Sequence, residues 1–132
     1  MGCESMVYAS NDNTQTIADG SVVSFGSINR KFGCHCGMEG GNATVRGKGV
    51  YYIDANVTFV ASAGTAVITL YQDGTAIPGA DAAVITGNNG TYTLSIPTAI
   101  RQYCDCHSVI TAVIRGITGT VSNAAIRVVK GA

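Results

Sequence analysis

The chain has 132 residues, near the usual size of one domain, so it can bury one hydrophobic core and has no room for a separate catalytic domain. Hydrophobic residues make up 46% and charged residues 12%, the latter about half of the roughly 25% of ordinary soluble proteins, which argues for an oligomer whose surface is partly covered by its own copies. Eight Lys and Arg balance eight Asp and Glu, so there is no basic stripe for nucleic acid, and no run approaches the ~18 apolar residues of a membrane span.

Residues 1–20 carry no sustained periodicity, and Ser10-Asn11-Asp12-Asn13-Thr14-Gln15 is polar throughout, so this stretch reads as an extended N-terminal arm that grips a neighbour. Met1-Gly2-Cys3-Glu4-Ser5 lacks a basic patch followed by an apolar run, and synthesis in a cytoplasm is expected. From residue 21 to 132 the chain becomes short β-type runs punctuated by Gly, Asn and Asp. No window holds a 3.6-residue apolar stripe, and helix should be close to absent.

Val50 to Val60 gives the clearest strand. Tyr51, Ile53, Ala55, Val57 and Phe59 fall on a core face, with Tyr52, Asp54, Asn56 and Thr58 on a wet one. Ala66 to Tyr71 follows and ends at Asp73-Gly74, a pair that tolerates the positive φ of a tight hairpin. Ala76-Ile77-Pro78-Gly79 returns as an edge segment, because Pro78 has no N–H to give a ladder. Ala82 to Thr86 and Thr91 to Ile96 flank a second hairpin signal, Asn88-Asn89-Gly90.

Ser108 to Arg115 has Ile110, Ala112 and Ile114 on one face and Val109, Thr111 and Val113 on the other, so both faces should be covered. Val121 to Lys130 closes the chain with Ala124, Ile126 and Val128 turned inward. Roughly eight to ten short strands with frequent glycine corners specify an all-β, antiparallel jelly-roll sandwich rather than a parallel sheet.

The run Gly49-Val50-Tyr51-Tyr52-Ile53, followed by Val67-Ile68-Thr69-Leu70-Tyr71-Gln72-Asp73-Gly74-Thr75-Ala76-Ile77-Pro78-Gly79, resembles the trimeric jelly rolls related to tumour necrosis factor and the complement globular head, above all their phage and bacterial-spore versions. The resemblance covers about residues 20 to 132. It implies a homotrimer with no enzymatic role, and a place in the virion of a tailed phage as a capsid decoration or head-fibre protein bound to a capsid or tail protein. Two other roles remain open. One is a receptor- or carbohydrate-binding head for a host-surface glycan, with Tyr52, Tyr71, Tyr92 and Tyr103 as stacking faces. The other is a bacterial surface or spore-coat protein.

Five cysteines and the chain's two histidines remain to be placed. Cys34-His35-Cys36 and Cys104-Asp105-Cys106-His107 each follow a strand, so two loops could meet at one end of the sandwich; Cys3 is left over. Four sulfurs and two imidazoles suit zinc or, failing that, an iron–sulfur cluster, although C-x-C departs from the C-x2-C of structural zinc sites. Disulfides between the clusters are an equal reading, and free thiols a third. A bridge within one C-x-C would close a small, strained ring. A catalytic reading fails because hydrolases bring Cys and His together in space rather than side by side, and Asp54, Asp73, Asp81 and Asp105 form no spaced acid pair. Gly37, Gly40 and Gly41 precede neither a Lys-Ser/Thr pair nor a helix, and are turn residues rather than a phosphate loop.

Overall fold

A computed structural model describes residues 5–87 and 90–131. Among these residues the chain forms strands and no helix, as the glycine-punctuated alternation requires. In chain order they are β1 (Ser5–Asn11), β2 (Gln15–Ile17), β3 (Ser21–Val23), β4 (Ser27–Phe32), β5 (Cys36–Glu39) and β6 (Asn42–Arg46). The second half supplies β7 (Gly49–Ala61), β8 (Gly64–Gln72), β9 (Thr75–Thr86), β10 (Gly90–Gln102), β11 (His107–Arg115) and β12 (Gly119–Lys130).

Two sheets share these strands. The first runs β10-β7-β12-β1-β4, with β2 also on β12; the second runs β5-β6-β11-β8-β9, with β3 also on β11. All pairings are antiparallel, and most join strands far apart in the chain: β1 with β12, β6 with β11, β7 with both β10 and β12. That wrapping of distant strands into two facing sheets is the jelly roll the strand pattern specified. Inner faces meet in a single core that draws Ile53, Phe59 and Val128 from the first sheet and Ile68, Leu70, Ile110 and Ile114 from the second, all inaccessible to solvent.

β7 buries Tyr51, Ile53, Ala55, Val57 and Phe59 and leaves Tyr52, Asp54 and Asn56 exposed, following the period-2 pattern residue for residue. The Asp73-Gly74 hairpin joins β8 to β9 with φ of 51° and 84° at its two residues. Pro78 lies in β9, which is the edge of the second sheet. That strand is longer than the predicted edge segment, because the chain passes Gly79 and continues through Thr86 with a register shift opposite Thr69 and Tyr71. Asn88 and Asn89 of the second hairpin signal lie outside the described residues, but the strands that flank it do not form a hairpin: β9 pairs with β8 in the second sheet and β10 with β7 in the first, so the chain crosses between sheets here.

The expected arm needs correction. Within the presumed arm of residues 1–20, Ser5–Asn11 is an interior strand of the first sheet, between β12 and β4, with Val7 and Ala9 fully buried. Its outward residues Met6 and Tyr8 are as apolar as its inward ones, so the polar alternation that marks a strand was missing. β11 buries Ser108, Ile110, Ala112 and Ile114 and leaves Val109, Thr111 and Val113 partly buried within the single chain, the face for which a neighbouring copy is the expected cover.

Candidate functional site

Three turns converge at one end of the sandwich: β4 to β5, β6 to β7, and β10 to β11. Backbone bonds tie them together, since Arg46 N donates to His35 O at 2.7 Å and Gly47 N donates to Cys106 O at 3.0 Å. His35 Nδ1 lies 2.7 Å from Arg46 O, and Lys48 N donates to Asp105 Oδ1 at 3.4 Å. The two cysteine loops therefore meet at one end, with Arg46-Gly47-Lys48 wedged between them.

Buried polar side chains hold this end in place. Ser5 Oγ accepts from His35 N and Cys36 N, each at 3.0 Å, and donates to Phe32 O at 3.2 Å. Tyr51 Oη shares its proton between Arg46 O at 2.7 Å and Gly47 O at 2.9 Å. Gln102 Nε2 donates to Cys106 O at 3.0 Å and Gly47 O at 3.3 Å, while its Oε1 accepts from Ser108 Oγ at 2.6 Å. Ser5 and Tyr51 satisfy their hydroxyls against backbone, and Gln102 satisfies its amide against loop backbone and the Ser108 hydroxyl, the condition for burying them without penalty. Their partners lie up to 55 residues away, so periodicity offered no signal for them.

The six residues considered as ligands divide by environment. Cys104 and Cys106 form a disulfide; the turn places their Cα atoms 5.2 Å apart, inside the range a disulfide spans. Bridging thus lies within the second cluster rather than between the two. Cys34 is an exposed free thiol, whereas Cys36 opens β5 with its side chain in the core. Burial pushes the Cys36 thiol above its ordinary pKa, an effect that the Ser5 hydroxyl and Lys130 oppose. His107 Nε2 lies 3.6 Å from Glu39 Oε2 at the surface.

Among the described residues no three His, Cys, Asp or Glu side chains converge as a metal-binding group. The zinc set Cys34, His35, Cys36, Cys104, Cys106 and His107 is therefore not assembled. Two of its sulfurs are consumed in a disulfide, a third faces the core, and His35 is turned to the Arg46 carbonyl rather than toward a thiol. What this end offers is a braced rim: a buried tyrosine, pushed up to about 12 by burial and by the charges of Cys36, Asp105 and Cys34, beneath loops carrying exposed cations.

No protein-family model matches the sequence, and no curated protein matches it. Solved structures do match. Murine APRIL aligns with a TM-score of 0.78 at 14% identity over 97% of this chain and 99% of that one. The PRD1 vertex protein P5 aligns with a TM-score of 0.67 at 11% identity over 98% and 99%. The globular domain of a zebrafish complement 1qA protein aligns with a TM-score of 0.65 at 11% identity over 93% and 94%. The chain has the jelly-roll fold of tumour-necrosis-factor-like and complement-head domains, as its β7 to β9 segment implied. The same fold serves a phage structural protein.

Proposed function

We propose that the protein is a structural building block of a phage virion, a homotrimer that seats on a capsid or tail protein and decorates or stiffens the particle surface. The observation that carries this reading is an apolar row across the outer face of the first sheet. Phe32 pairs with Met6, Met6 with Val129, Val129 with Tyr52, and Tyr52 with Ala99, so five consecutive strands present apolar side chains to solvent in one line. Phe32 is 51% and Tyr52 52% exposed in the single chain. A contiguous apolar strip on a chain with so few charges marks a surface that meets another protein. Likeness in fold to a phage vertex protein supports the virion as its setting.

Attachment through a free arm of residues 1–20 does not survive, because residues 5–11 are part of the sheet. In this reading the surface that binds the particle is on the folded body. Light scattering on the purified chain should return the mass of three 13.5 kDa subunits, and antibody labelling should find the protein on intact particles. A monomer at micromolar concentration, or particles that carry none of it, would overturn the proposal.

A further inference from the structure

Arg101 and Tyr103 stand on a ridge between two grooves at the braced end of the sandwich. The first groove, about 460 Å³, is lined by Lys48, Lys130, Gly49, Val50 and buried Gln102. The second, about 510 Å³, has Ile77, Pro78 and Ala99 along an apolar wall, with Gln72 and Thr75 as polar groups. Both grooves include Arg101 and Tyr103. The Arg101 guanidinium carbon lies 5.3 Å from the Tyr103 ring centroid, so it steadies one side of a ring that is 80% exposed.

Three of the eight cationic side chains of an electrically neutral chain line this one groove. Among the described residues the salt bridges are Arg127 with Asp54 and His107 with Glu39, and neither engages Lys48, Arg101 or Lys130. The nearby Asp105 carboxylate, whose Oδ1 accepts from Lys48 N at 3.4 Å, keeps its negative charge and offsets one of the three cations, so the groove is left net positive. Like charges lining one groove repel one another, and an incoming anion relieves that repulsion. The planar guanidinium fork of Arg101 suits a carboxylate, which it can hold through two parallel bonds.

Charge alone would suit inorganic phosphate equally. The second groove adds what phosphate cannot use: an exposed tyrosine ring continuous with an apolar wall of Ile77, Pro78 and Ala99. A flat C–H face attached to an anionic group fills both grooves at once, and the pyranose ring of a uronic or sialic acid has that form. Single-stranded nucleic acid also pairs phosphate with a stacking face, but it needs a basic track that continues along the strand. Here Arg101 is the one charged residue that the second groove adds to the stacking face, so no basic track continues along it.

We propose that this ridge is a binding site for acidic saccharides, with the carboxylate held by Arg101, Lys48 and Lys130 and the sugar ring stacked on Tyr103. The site is complete within one chain. It lies one outward row beyond the apolar strip, where Arg101 pairs with Val50.

The test titrates the full chain with tetragalacturonate, sialyllactose and a hyaluronan tetrasaccharide. Comparators are methyl-esterified tetragalacturonate, inorganic phosphate and oligo-dT. At least one acidic saccharide should bind, tenfold or more tightly than the ester, and more weakly as salt is raised. Arg101→Ala and Tyr103→Ala should each weaken that binding tenfold or more. Tyr103→Phe should retain it, and Arg115→Ala, on the other sheet, should leave it unchanged. Circular dichroism checks that each variant keeps the wild-type fold. The proposal is overturned if no acidic saccharide binds, if the ester binds as well, if phosphate binds equally and without regard to Tyr103, or if oligo-dT is the preferred ligand.

Discussion

Removing the Ser5 hydroxyl would strand the backbone N–H groups of His35 and Cys36, which have that oxygen as their acceptor at the buried start of β5. Two unsatisfied donors in a water-poor site outweigh the small apolar gain of a methyl, so Ser5→Ala should cost about 2–3 kcal/mol, read as a lower urea midpoint at unchanged m-value. Cysteine reactivity follows from the same local geometry. With iodoacetamide at neutral pH, site-resolved mass spectrometry should find Cys34 alkylated in the native protein and Cys36 alkylated only after unfolding, since Cys36 is buried and its thiol is held protonated. Tyr51 gives a pH signature. Its phenol titrates near 10 when unfolded and near 12 when folded, so its contribution to stability is complete below pH 10 and is lost as pH rises through about 12. Tyr51→Phe should lower stability at neutral pH by about 1 kcal/mol through its lost hydrogen bonds. It should also flatten the fall in melting temperature between pH 10 and 12; an unchanged slope would show that this phenol does not drive the alkaline transition.

At the scale of strands and turns, the clearest determinant is the turn from β11 to β12. Gly116 has φ +88°, and a Cβ there would press into the backbone carbonyl of Thr65 on β8. Gly116→Ala should therefore destabilise by about 1–3 kcal/mol, measurable by thermal melting, whereas at Gly74, which also has positive φ, a Cβ meets open space and only the backbone preference is lost. Strands with strong contrast between faces were legible from the sequence: β7, β12 and the hairpin at Asp73-Gly74 lie where alternation and turn chemistry put them. β1 was not, because Ser5, Val7 and Ala9 turn inward while Met6 and Tyr8 turn outward, which erases the contrast between the two faces. The cysteine end was legible only in outline. That two loops meet there follows from strands ending together, but the intracluster disulfide and the bracing by Ser5, Tyr51 and Gln102 depend on contacts across distant segments that no local pattern encodes. Arg101 and Tyr103 drew no notice as a pair because neighbouring side chains two apart on a strand end acquire meaning only when the groove beside them exists.

Across the whole molecule, low charge and an exposed apolar strip have to be reconciled. The single chain presents 6557 Å² to solvent, and two neighbour contacts of about 800 Å² each would hide roughly a quarter of that surface. A trimer built on the outer face of the first sheet would remove Phe32, Met6, Val129 and Tyr52 from water together and leave Ala99, at the end of the strip, and the charged ends exposed. Tyr52 is the most informative residue for testing this. It sits mid-sheet on β7, paired with Val129 on one side and Ala99 on the other, and is half-exposed in one chain, so a carboxylate there can be solvated in a monomer but not inside an interface. Tyr52→Glu should convert the trimer to a monomer in light scattering at micromolar concentration while the β-sheet circular dichroism spectrum persists. Arg115→Glu, a charge reversal on the opposite sheet, should leave the assembly intact. If Tyr52→Glu stays trimeric with an unaltered dissociation constant, the copies meet through some other face, and the apolar strip belongs to the contact with the particle.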